Sequence, residues 1–127
     1  MKRILFLVCC LFVAKTHAQT ASFFNKENSL RIDFQFYGDY KSDTVLNVQG
    51  WSCPSIKQNL NSVIDTFNYG NHLIEVFDSI TNTLIFSKGF GSLFEEWQNT
   101  PIGKIKKESF EMSVFLPMPQ KSVKVVF

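Results

Sequence analysis

Cys53 and His72 are the residues of this chain best suited to nucleophilic chemistry, because a thiol beside an imidazole base is the minimal acyl-transfer pair. Their surroundings argue against that use. Cys53 precedes Pro54 in a loop-like stretch and His72 opens an extended run, so no local element brings them together. A half-buried thiol and a surface imidazole are expected instead. Paired carboxylates would suit glycoside hydrolysis, but Glu95 and Glu96 are neighbours on a short helical segment and point to different sides. Asp39 and Asp43 flank a turn, yet their spacing is far from a calcium-binding loop, and a solvated turn is expected. Lys104, Lys106 and Lys107 form a solubilising basic loop rather than a phosphate site. There is no His-Glu-x-x-His, Cys-x-x-Cys or Gly-x-Ser-x-Gly stretch. No catalytic residue and no metal ligand set is therefore assigned, and no enzymatic activity is expected. The remaining candidates are aromatic: Trp51, Trp97, Tyr37, Tyr40 and Tyr69 could form a sugar- or protein-binding surface, or the tryptophans could cap the edges of a core.

The elements that must position these residues follow from composition and pattern. The chain has 127 residues, 45% hydrophobic and 19% charged, with 14 Phe and a formal charge of +2. It is too apolar to be disordered and too weakly charged to compete for nucleic acid. Three cysteines, two of them adjacent, do not make a disulfide scaffold.

The first residues read as a targeting segment. Met1-Lys2-Arg3 is basic, and Ile4 to Ala14 is an apolar run too short for the roughly 20 residues of a bilayer span. Thr16-His17-Ala18 offers a small-residue cleavage site, with the cut between Ala18 and Gln19. Residues 1–18 are thus expected to be a signal peptide, and the product to be periplasmic, on the cell surface or secreted, with no membrane span after cleavage. Losing the leader would leave ten basic against eleven acidic residues, with Cys53 and His72 the sole cysteine and histidine.

Gln19 to Asn28 reads as a polar lead-in that pairs loosely at an edge, followed by a domain over 29–127. Leu30, Ile32, Phe34 and Phe36 alternate with Arg31, Asp33, Gln35 and Tyr37, the period of a strand with one buried face. Thr44 to Trp51 is a second extended run, with Leu46 and Val48 expected on one face. Gln58 to Phe67 fits either a helical turn or a returning loop. His72–Asp78 and Thr83–Phe90 form a hairpin around Ser79–Asn82, and the glycines flanking Phe90 point to a bulge or bend. Ser92 and Glu95 make a capping box for a short helix near 92–98, which Asn99-Thr100-Pro101 stops. A final pair of alternating segments, Glu108–Leu116 and Ser122–Phe127, is separated by Pro117-Met118-Pro119, expected to break the ladder. Six or seven strands with regular turns predict an all-β, antiparallel two-sheet β-sandwich, immunoglobulin-like or jelly-roll-like.

Several segments, in order, resemble the N-terminal domain of the IgA peptidase family. They are Leu30-Arg31-Ile32-Asp33-Phe34, Asn59-Leu60, Ile64-Asp65-Thr66-Phe67-Asn68-Tyr69-Gly70, Glu75-Val76-Phe77-Asp78, Ile85 to Phe90, Phe94 to Gln98, and Ser109-Phe110-Glu111 through Pro119. Together they span about Leu30 to Phe127. The resemblance implies a β-sandwich module placed ahead of the catalytic domain of a secreted zinc metallopeptidase, many of them from Bacteroidetes. In such proteins the zinc ligands and catalytic Glu lie in the later domain, so zinc is expected only there and no family catalytic residue carries over. The implied function is a non-catalytic accessory module whose partner is a metallopeptidase catalytic domain, in cis or in trans. Because the sequence stops inside an apolar strand at Phe127, a truncated or split member is expected. The alternative is a free-standing exported module binding a glycan or a host protein, with no nucleic acid partner.

Overall fold

Ile32, Phe34 and Phe36 all point into the core from one strand, β1 (Phe24–Gly38), while Arg31 and Tyr37 at either end of that run face solvent. The computed structural model describes residues 22–127, so the expected leader and the Ala18–Gln19 cut lie outside the described residues. After β1 come β2 (Asp43–Pro54), β3 (His72–Asp78), β4 (Leu84–Phe90), the helix α1 (Leu93–Gln98), β5 (Glu108–Pro119) and β6 (Val123–Val126).

Each of the two sheets has three strands, in the orders β2-β1-β5 and β4-β3-β6, and every pairing is antiparallel. The inner faces meet. The Phe34 ring lies 6.1 Å from that of Phe90 and 4.5 Å from that of Phe127, and Phe36 packs 4.3 Å from the His72 ring. Among the described residues the fold is therefore a β-sandwich with one short helix. Phe34, Phe94, Ile74, Ile85 and Leu116 are fully buried, each worth about 1.5–3 kcal/mol of transfer free energy.

Several local expectations need correcting. The polar lead-in is not a loose edge segment. Phe24 begins the central strand, pairs with Pro119, and is buried, while a bulge between Asn25 and Ser29 carries the polar residues outward. Pro117 and Pro119 do not break their ladder, because β5 is an edge strand and a missing amide on its open side costs nothing. The last two strands do not pair with each other: β5 joins β1, and the chain crosses to place β6 beside β3. The irregularity in the β3–β4 hairpin falls between Val76 and Phe77, not at the glycines around Phe90.

Two further features bear on function. Residues 55–71 form a loop without helix that lies along β4: the Ser87 amide donates to the Val63 carbonyl at 3.0 Å. This covers an edge that would otherwise be open. β2, by contrast, is exposed on both faces. Leu46 and Val48 do not share a face there, because Asn47, in the left-handed region at φ 53°, forms a bulge between the Asp33 and Gln35 pairings.

Candidate functional site

The structure keeps Cys53 and His72 apart. Cys53 on β2 donates its thiol to the Ser29 carbonyl at 3.4 Å. His72 begins β3 in the other sheet, where its Nε2 lies 3.1 Å from Ser92 Oγ. Asp39 spends its carboxylate on the β1–β2 turn, accepting from the amides of Lys41 (2.9 Å) and Ser42 (3.2 Å), and these hold its pKa below the ordinary value. Lys106 pairs with Glu108. Among the described residues no group of three or more His, Cys, Asp or Glu converges to hold a metal ion.

The five aromatic candidates do not form one platform. Trp97 packs on the core edge, its ring 5.6 Å from both Phe94 and Phe110. Tyr40 sits in the β1–β2 turn under Lys41. Trp51, Tyr37 and Tyr69 are exposed, and they divide between two surfaces.

The first surface is the turn 65–70. Asp65 organises it. Its Oδ1 accepts from the amides of Phe67 (2.8 Å) and Asn68 (3.2 Å), and its Oδ2 accepts from the Gly89 amide (2.7 Å) on β4. The Asp65 amide in turn donates to Ser87 Oγ at 2.9 Å. The Gly89 amide is the main reason, with Phe67 next, that the Asp65 carboxyl is held below the ordinary aspartate range. Asn68 (φ 57°) and Gly70 (φ 87°) complete the turn in the left-handed region. Gly89 must lack a side chain, since a Cβ there would lie 2.4 Å from the Tyr69 carbonyl oxygen. The product is a pinned turn that stacks Phe67 and Tyr69 face to face, centroids 5.6 Å apart and planes 3° from parallel, while leaving them 74% and 73% exposed. Beside them lies a largely apolar groove of about 420 Å³, lined by Ile56, Val63, Ile64, Phe67, Phe86 and Phe115 among others. Phe67 was not among the aromatic candidates because phenylalanine reads as core. The usable signal was the Asp-x-Phe-Asn-x-Gly order, an Asx-turn followed by two residue types that tolerate positive φ.

The second surface is the outer face of the β2-β1-β5 sheet. Its cross-strand rows are Trp51–Arg31–Phe115, Gln49–Asp33–Ser113, Leu46–Gln35–Glu111 and Thr44–Tyr37–Ser109. Asp33 accepts from Ser113 Oγ at 2.7 Å and from Arg31 Nη2 at 2.7 Å, which lowers its pKa in that order of cause. Asn47 Nδ2 donates to Gln35 Oε1 at 2.8 Å, and Gln35 Nε2 donates to Glu111 Oε1 at 3.4 Å. A cleft of about 470 Å³ lies over this network. Trp51 and Tyr37 lie in the first and last of these cross-strand rows, outside the lining of the cleft.

The sequence model of the family described as Peptidase M64 N-terminus matches residues 21–127. The search of curated proteins found no match.

Proposed function

Because the chain belongs to the Peptidase M64 N-terminus family, we propose that it is the non-catalytic accessory module of a secreted zinc metallopeptidase, acting on a catalytic domain supplied in cis or in trans. The family match over residues 21–127 carries this reading. It makes the chain the N-terminal domain of a peptidase rather than the domain that cuts. The described residues hold no ligand set that zinc would fit, so no chemical step is assigned to this chain.

Export belongs to the same proposal. The basic start, short apolar run and Ala18–Gln19 site favour a signal peptide. No helix among the described residues is long and apolar enough to cross a membrane.

The contact with the catalytic domain is assigned to the Phe67–Tyr69 turn. Exposed aromatic rings held in one conformation lose little freedom on binding and make strong interface anchors. Seated in a partner pocket, such an anchor is worth about 2 kcal/mol or more. The test is to mix the full exported chain with an M64 catalytic domain from the same organism and follow association by sedimentation velocity. A complex that weakens on Phe67→Ala plus Tyr69→Ala is the expected result. A catalytic domain that neither binds the chain nor changes in activity or solubility with it would overturn the accessory role.

A further inference from the structure

We infer that the outer face of the β2-β1-β5 sheet is a binding site for a neutral oligosaccharide, with Trp51 as the stacking ring and Gln35, Asn47, Gln49 and Glu111 as hydrogen-bonding partners. This does not rest on the docking of a catalytic domain, which uses the Phe67–Tyr69 turn.

The geometry of the face carries the inference. From Arg31 to Tyr37 the track runs six residues along β1, about 20 Å at strand rise, with an aromatic side chain at each end. That length suits an oligosaccharide rather than a single sugar. Trp51 is 50% exposed, leaving an indole face for the C–H face of a pyranose ring. Between the aromatic ends, Leu46 apart, the side chains are amides, hydroxyls and carboxylates, which pair readily with sugar hydroxyls in both senses. They are also already oriented. The Asn47–Gln35–Glu111 chain and the Arg31–Asp33–Ser113 chain fix their planes before any ligand arrives, so little ordering remains to be done on binding. The bulge at Asn47 is what aims its amide across to Gln35.

Two observations select among ligand classes. β1 is paired on both sides, so its backbone is fully used and a ligand on this face meets side chains only. An extended peptide, which gains most from backbone pairing, would have to use the open edges of β2 or β5 rather than the face over β1. Charge selects next. The Arg31 guanidinium is neutralised by Asp33, leaving Glu111 as the unbalanced charge of the network. An anionic glycan is therefore disfavoured and a neutral one favoured.

The experiment is isothermal titration calorimetry of the exported chain with cellotetraose, mannotetraose, chitotetraose and lacto-N-neotetraose, alongside a sialylated oligosaccharide and an extended uncharged peptide. At least one neutral tetrasaccharide is expected to bind, and Trp51→Ala or Asn47→Gly to weaken it about tenfold. Asn47→Gly keeps the left-handed backbone while removing the amide, and urea unfolding checks that each variant is folded. Ile80→Ala, in the exposed β3–β4 turn of the other sheet, is expected to leave binding unchanged. The inference is overturned if no neutral probe binds, if binding ignores both substitutions, or if only the anionic glycan or the peptide binds.

Discussion

His72 Nε2 lies 3.1 Å from Ser92 Oγ, and the same hydroxyl accepts the Glu95 amide at 3.2 Å. One side chain thus caps the helix and ties it to the first residue of β3. Because Ser92 Oγ is the acceptor for Glu95, it is free to donate its proton to His72. A serine beside a histidine invites a catalytic reading, but Ser92 is buried and one of its two lone pairs is committed to the helix. Ser92→Ala is expected to lower stability by about 1 kcal/mol through the lost cap. Ser92→Asp should restore most of it, because a carboxylate also caps. Urea denaturation of the two variants checks this.

Asp65 makes stability depend on acid. Its folded pKa is depressed below 3.8 by the amides of Gly89 and Phe67. A depressed carboxyl contributes stability that is present above its unfolded pKa and lost as pH falls through its folded pKa. Asp65→Asn is therefore expected to lower the urea midpoint at pH 7. The gap to the unsubstituted protein should narrow as pH drops below 3.8. A gap that stays constant down to strong acid would show that the clamp is not electrostatic.

Two phenylalanines should behave in opposite ways. Phe34 is 2% exposed and touches Phe36, Phe90 and Phe127, so Phe34→Ala is expected to cost roughly 3–5 kcal/mol. Phe67 is exposed, so Phe67→Ala should stay within about 0.5 kcal/mol. Thermal or urea unfolding of both variants separates a packing role from a binding role.

Gly89 and Gly91 form a similar contrast. A Cβ at Gly89 would meet the Tyr69 carbonyl at 2.4 Å and Asp65 Oδ2 at 2.8 Å. Gly89→Ala should then cost about 1–3 kcal/mol by overpacking and by loosening the clamp. At Gly91 nothing lies within 4 Å of an added Cβ. Gly91→Ala should be neutral or stabilising by up to about 1 kcal/mol. Equal losses at the two sites, read by calorimetry, would contradict the turn geometry.

Much of the fold was legible because it is local. The alternation in Leu30–Tyr37 set which side of β1 is buried, since a period of two leaves a strand no other choice. The capping box at Ser92 and Glu95 was legible for the same reason, its hydrogen bond spanning three residues. The candidate surfaces were less legible. Trp51 and Tyr37 were named among the candidates, but their polar companions Asp33, Gln35 and Asn47 were not, because cross-strand neighbours are distant in sequence.

The sequence by itself determined the β character, the buried face of β1 and the family, all of which depend on residue type and order. Only the tertiary structure decided which strands pair, and so whether a proline or an aromatic ring is tolerated. Pro117 fits because β5 lies at an edge, and Phe67 faces solvent because Asp65 anchors its turn to Gly89, 24 residues away. Side-chain hydrophobicity is the same for Phe34 and Phe67. Burial is a property of what the rest of the chain places around each ring, and no local pattern contains that information.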